Sequence, residues 1–205
     1  MRRLCVRVEE VRGVCTAKVP MREGTAFAVE NGRLHAPGGG PICLFALQSL
    51  LPLLPAKERD LGTGSDTDWL WRVHHAQCPD PKGRVVWRIE EGSGSKETAP
   101  TPGIPAPVAG DLIVAIEQVR GRCTSGMKPG MWLLLKDSSL YFPQPFCLYA
   151  LAAVLPLLPA ASRPLAPDDW LATENAVICP DPNGNVIMRF TQANPSSAPD
   201  GAVRS

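Results

Sequence analysis

ICLFALQSLLPLLPA, residues 42–56, returns almost letter for letter as FCLYALAAVLPLLPA at 146–160. A run that is apolar on nearly every face reads as a buried helix rather than a half-exposed strand. Pro41 suits the start of such a helix, and Pro52 and Pro156 fall near its end. Working outward, VRGVCT at 11–16 recurs as VRGRCT at 119–124, and CPDPKGRVVWRI at 78–89 recurs as CPDPNGNVIMRF at 179–190. The chain reads as an internal duplication. A first unit at 1–92 and a second at 111–192 are joined by a Pro/Gly/Ser-rich linker at 93–110 and followed by a tail at 193–205 that is expected to be disordered. Three cysteines recur: Cys15 with Cys123, Cys43 with Cys147, and Cys78 with Cys179.

Within each unit the pattern is strand, strand, helix, strand, strand. LCVRVEEV at 4–11 and LIVAIEQV at 112–119 alternate apolar and polar residues, as half-buried strands do. A hairpin follows, turning at Asn31-Gly32 in the first unit and at Asp137-Ser138 in the second. Both units carry Asp-Trp (Asp68-Trp69 and Asp169-Trp170) before the last two strands, expected at 70–78 and 84–90 in the first unit. These form a closing hairpin on the turns DPKG and DPNG, with Pro second and Gly fourth. The fold class is α+β: two tandem repeats, each a small, mostly antiparallel sheet with one long buried helix, packed about a pseudo-twofold axis as an intramolecular pseudo-dimer.

Composition narrows the function. Apolar content of 44% and charged content of 20% are ordinary for a globular protein. Residues 1–90 carry a net charge of +3 and residues 91–205 a net charge of −2. Neither half has the basic stripe that phosphate contacts require, so nucleic acid is not expected as a partner. The apolar runs are too short, and too interrupted by proline, to span a bilayer, so no membrane role is expected. The opening MRRLCVRVEEVRG reaches acidic residues before an apolar run forms, which points to a cytoplasmic protein with reduced thiols. Seven cysteines cannot all pair, and Cys5, which lacks a counterpart, reads as a small apolar strand residue.

The combination of an opening strand ending in Gly-x-Cys, a helix opening on Cys-x-x-Ala-Leu and a closing Cys-Pro-Asp hairpin resembles a family of small, functionally unassigned prokaryotic proteins built on one such unit. Gly13-Val14-Cys15, Cys43 with Ala46-Leu47, and Cys78-Pro79-Asp80 carry the likeness in the first unit. Gly121-Arg122-Cys123, Cys147 with Ala150-Leu151, and Cys179-Pro180-Asp181 carry it in the second. Members often have Pro directly after the helix cysteine, where Leu44 and Leu148 stand here. The resemblance implies a fold and no reaction.

All six repeated cysteines fall at the ends of elements, where sites tend to be built. If they gather, Cys15, Cys43 and Cys78 form one thiol cluster and Cys123, Cys147 and Cys179 another. Such clusters could hold a soft metal, zinc or an iron–sulfur centre. Asp80 or Asp181 would then be available as a further ligand or a base. No C-x-x-C spacing supports zinc, and a site common to both units cannot need histidine, since His35, His74 and His75 all lie in the first. His74 and His75 are strand neighbours that point to opposite faces. The leading expectation is a non-catalytic binding or accessory protein. Two rivals stand beside it: a thiol-dependent redox enzyme using Cys43 and Cys147, and a structural subunit that docks a partner protein or redox enzyme. Against all three stands the plain reading of free cysteine as a small hydrophobe. Gly38-Gly39-Gly40 reads as a flexible loop, and Trp69, Trp71, Trp87, Trp132 and Trp170 read as packing residues. Arg88 and Arg189 are expected to be solvated or paired with a carboxylate.

Overall fold

A computed structural model describes residues 2–59, 69–92 and 103–193. All of the expected tail but Ala193, which is buried, most of the linker and Asp68 therefore lie outside the described residues, as do the side chains of Trp69 and Trp71. The first half runs β1 (Leu4–Val11), β2 (Ala26–Glu30), β3 (Arg33–His35), β4 (Ile42–Cys43), α1 (Leu44–Leu50), α2 (Leu54–Glu58), α3 (Trp69–Arg72), β5 (His75–Gln77) and β6 (Val85–Glu91). The second runs β7 (Leu112–Val119), β8 (Trp132–Lys136), β9 (Ser139–Tyr141), β10 (Phe146–Cys147), α4 (Leu148–Val154), α5 (Leu158–Ala161), α6 (Trp170–Thr173), β11 (Ala176–Ile178) and β12 (Val186–Gln192). The class is α+β, with two six-stranded antiparallel sheets.

The sheets exchange a strand. One is ordered β10-β3-β2-β1-β6-β5 and the other β11-β12-β7-β8-β9-β4, so each takes one two-residue strand from the opposite half. Cys43 pairs with Ser139 across β4 and β9, and Cys147 pairs with Arg33 across β10 and β3. The exchange continues into the helices that follow: Leu44 N–H donates to the Ser138 carbonyl at 2.9 Å, and Leu148 N–H to the Gly32 carbonyl at 2.9 Å. Both hairpin turns use left-handed backbone, with φ of 53° and 71° at Asn31 and Gly32 and of 52° and 62° at Asp137 and Ser138.

One core draws on both sheets and on α1 and α4. Trp87 and Phe27, both buried, meet with ring centroids 5.8 Å apart. Each such side chain contributes about 1.5–3 kcal/mol by leaving water.

Four expectations are corrected. The apolar run at 42–56 is not one long helix: it begins as strand β4 and breaks after Leu50 into α1 and α2. Pro52 has no N–H to continue the ladder, and its ring crowds the preceding turn. The same break separates α4 from α5 at Pro156. The strand expected at 70–78 shrinks to β5, because Trp69–Arg72 are helical. In the second half the reason is plain: the Asp169 side chain caps α6 by accepting from Leu171 N–H at 2.8 Å. Gly38-Gly39-Gly40 is no free loop. An added Cβ on Gly39 would overlap the Ile104 side chain, and one on Gly40 would lie 2.6 Å from the Leu140 carbonyl oxygen. Trp170 is not a packing residue, being 54% exposed.

Candidate functional site

The strings VRGxCT and CPDPxG recur together because each needs the other. The backbone after Gly13 lies directly on the DPKG turn, where Val14 N–H donates to the Lys82 carbonyl at 3.0 Å. A Cβ on Gly13 would overlap that carbonyl oxygen, and one on Gly83 would lie 2.7 Å from Asp80 Oδ2 and 2.9 Å from Cys15 Cα. Asp80 clamps the two strings. Its Oδ2 accepts from Thr16 N–H at 3.0 Å and Thr16 Oγ1 at 2.9 Å, and its Oδ1 accepts from Lys82 N–H at 3.0 Å. These bonds, led by the Thr16 backbone, hold its carboxyl below the ordinary range. Asp181 does the same work, accepting from Asn183 N–H at 3.0 Å and Thr124 Oγ1 at 3.2 Å. Both aspartates are thus engaged as clamps, which accounts for their recurrence without a ligand or base role. The clamp brings Cys15 beside Cys78 in one half and Cys123 beside Cys179 in the other.

Cys43 arrives by a different route. It ends β4 and caps α1 with extended backbone, φ −62° and ψ 128°. Cys15, Cys43 and Cys78 then line one cavity of about 550 Å³, whose wall is completed by Phe45 and by Asp137 and Ser138 of the other half. Lys18 Nζ bridges the rim to Asp137 Oδ1 at 2.8 Å. Cys43 and Cys78 are each only 5% exposed, so the cavity is their route to solvent.

The two buried sulfurs act as a pair. The neighbouring Cys78 thiol, helped by the backbone N–H groups of Ala46 and Phe45, draws the Cys43 pKa below its ordinary value against the opposing effect of burial. Cys78 is pushed up, first by its neighbour Cys43, then by burial and by the charge of Asp80. Backbone donors converge on Cys43 while Cys78 faces negative neighbours, which makes Cys43 the more acidic of the two.

The second half is arranged differently. Cys147 caps α4 as Cys43 caps α1, with φ −65° and ψ 131°. Burial pushes Cys179 up, as do the nearby Cys147, Asp181 and Cys123. The acidified thiol here is Cys123. Burial would raise it, but the Ser125 hydroxyl, 3.3 Å from its sulfur, and the N–H groups of Met127, Ser125 and Gly126 prevail. A shorter loop brings these donors in: CTSGM replaces CTAKVPM between the cysteine and a buried methionine, Met127 or Met21.

Compared with family models, curated proteins and solved structures, the chain gives no match. Among the described residues, no group of three or more His, Cys, Asp or Glu side chains is placed to hold a metal ion. No helix among them is long and apolar enough to cross a membrane. His75 lies on the surface, with its Nε2 2.7 Å from Glu9, which also receives Arg88 Nη1 at 2.9 Å. Arg189 is paired likewise with Glu117, Nε to Oε1 at 2.8 Å. Cys5 stays a half-buried residue of β1, its thiol raised by burial. The contribution of Asp137 and Ser138 to the first cavity, and of Arg33 to the Cys123 loop, was not read from the sequence. Each depends on the exchange of a two-residue strand, which carries no periodic signal.

Proposed function

We propose that this chain is a duplicated thiol protein whose working centre is the Cys43–Cys78 pair, acting in thiol–disulfide exchange. The observation that carries the reading is that two buried thiols, Cys43 at the start of α1 and Cys78 on the closing hairpin, line the same open cavity. In this reading the Cys43 thiolate attacks one sulfur of an incoming disulfide, whose S–S bond breaks as a mixed disulfide forms. Cys78 then gives up its proton and attacks the Cys43 sulfur, closing Cys43–Cys78 and releasing the second thiol. The substrate disulfide gains the two electrons that the pair loses. The reciprocal strand exchange supports the duplication and a pseudo-twofold relation of the halves. The absence of a three-ligand group among the described residues makes the dithiol reading stronger than zinc or an iron–sulfur centre.

The test uses hydroxyethyl disulfide on the full chain at neutral pH, with peptide mapping. Cys78→Ser is expected to trap a mixed disulfide on Cys43, whereas Cys43→Ser leaves Cys78 unmodified. A trapped adduct on Cys78, or none on Cys43, would overturn the reading. Equimolar retention of zinc or iron after anaerobic purification would favour a metal centre instead.

A further inference from the structure

A second cavity, of about 900 Å³, opens at the other cysteine site, between the halves. The second half supplies Cys123, Ser125 and Arg122, and the first supplies Arg33, His35 and Glu30. Arg33 Nε donates to the Ser125 carbonyl, which fixes the guanidinium against the Cys123 loop. Gly126 admits it: a Cβ there would overlap Arg33 Nη2. Two guanidiniums and an imidazole therefore face this cavity against one carboxylate. The cavity at Cys43 has a different character. Its one lysine, Lys18, is already bridged to Asp137.

We propose that this cavity binds a small disulfide bearing carboxylates and that Cys123 exchanges with it, leaving one half of the ligand attached to the protein. Guanidinium forks recognise carboxylates bidentately, and Arg33 and Arg122 come from opposite halves, so they can engage separate carboxylates of one ligand. The Cys123 thiolate attacks one ligand sulfur, the ligand S–S bond breaks, and the departing thiolate takes a proton from water. One disulfide is exchanged for another, so no oxidant is needed. The loop N–H groups and the Ser125 hydroxyl hold Cys123 as the attacking sulfur. Cys179, kept protonated by burial and negative neighbours, resolves the adduct slowly. The adduct is therefore expected to persist, unlike one on Cys43. The proposal concerns a different half and a different sulfur from the Cys43–Cys78 pair and stands or falls separately.

The experiment treats the full chain at neutral pH and low salt with oxidised glutathione, neutral hydroxyethyl disulfide or cationic cystamine, and maps adducts by mass. Cys123 is expected to be modified about tenfold faster by oxidised glutathione than by hydroxyethyl disulfide, in the range of electrostatic steering, with cystamine slowest. Arg122→Ala, a change at an exposed position, is expected to shrink that ratio to about threefold or less. Salt should do the same. The proposal is overturned if Cys123 takes no persistent adduct, if cystamine reacts with Cys123 as fast as oxidised glutathione, or if Arg122→Ala leaves the ratio unchanged.

Discussion

The two halves carry the same three cysteine strings and differ in which sulfur is acidified. Both carry the Gly-x-Cys-Thr string laid on a Cys-Pro-Asp hairpin, and both carry a cysteine that caps a short helix after an exchanged strand. In the first half the acidified thiol is Cys43, drawn down by its neighbour Cys78 and the backbone N–H groups of Ala46 and Phe45. In the second it is Cys123, which hydrogen-bonds to Ser125. The distinguishing changes are small: a loop shortened by two residues, and an arginine (Arg33) where the equivalent hairpin position holds Ser139. One cavity collects all three cysteines of the first half, while the cavity at the second site holds Cys123 alone, and the loops set which thiol is acidified.

The largest effect is expected from breaking what the halves share. Gly13→Ala and Gly121→Ala each force a Cβ into a carbonyl oxygen of the facing turn. Each should cost about 2–3 kcal/mol in urea unfolding, as overpacking does. If either variant is neutral, the close approach is not what holds the cysteine loop in place.

The next effects separate the halves. Cys78→Ala removes the neighbour that draws Cys43 down and should slow alkylation of Cys43 at pH 7 about tenfold, the lower end for a hydrogen bond to a charged group. The pH profile checks the sign. Cys43 should lose reactivity with acid at a midpoint below the ordinary thiol value of 9.0, and Cys78→Ala should move that midpoint up. Ser125→Ala should slow Cys123 by about fivefold, the worth of one ordinary hydrogen bond, and leave Cys43 as it was. An equal response of both cysteines to both variants would erase the distinction drawn here.

The smallest effect is expected at the rim of the first cavity. Lys18 is 73% exposed in its ion pair with Asp137. Lys18→Ala should change stability by less than about 0.5 kcal/mol, as exposed pairs do.

Much of this was legible in the sequence. β1 and β7 occupy 4–11 and 112–119 as expected, although β7 buries Leu112, Ile113 and Val114 in succession rather than alternating, and Asn31-Gly32 turns as its composition demands. The sulfurs could be singled out because they recur, and one cavity does collect Cys15, Cys43 and Cys78. Other features were not legible. Ile42–Cys43 and Phe146–Cys147 become strands only because the opposite half offers an edge, so no local pattern announces them. Pro52 and Pro156 were seen, but as helix ends rather than as breaks between two short helices. Asp80 and Asp181 looked available for chemistry because a sequence does not show which N–H groups a carboxylate will meet. The two-residue difference between CTSGM and CTAKVPM was the one sequence feature that could have set Cys123 apart, and it was not used.

The account rests on the pairing of the buried thiols Cys43 and Cys78 at one cavity, and limited oxidation tests it most directly. With about one equivalent of a neutral disulfide at pH 7, followed by alkylation and peptide mapping, the first bond formed within the protein should link Cys43 to Cys78. A first bond from Cys15 to either of them, or a Cys43–Cys78 pair that stays reduced while other cysteines oxidise, would contradict the account.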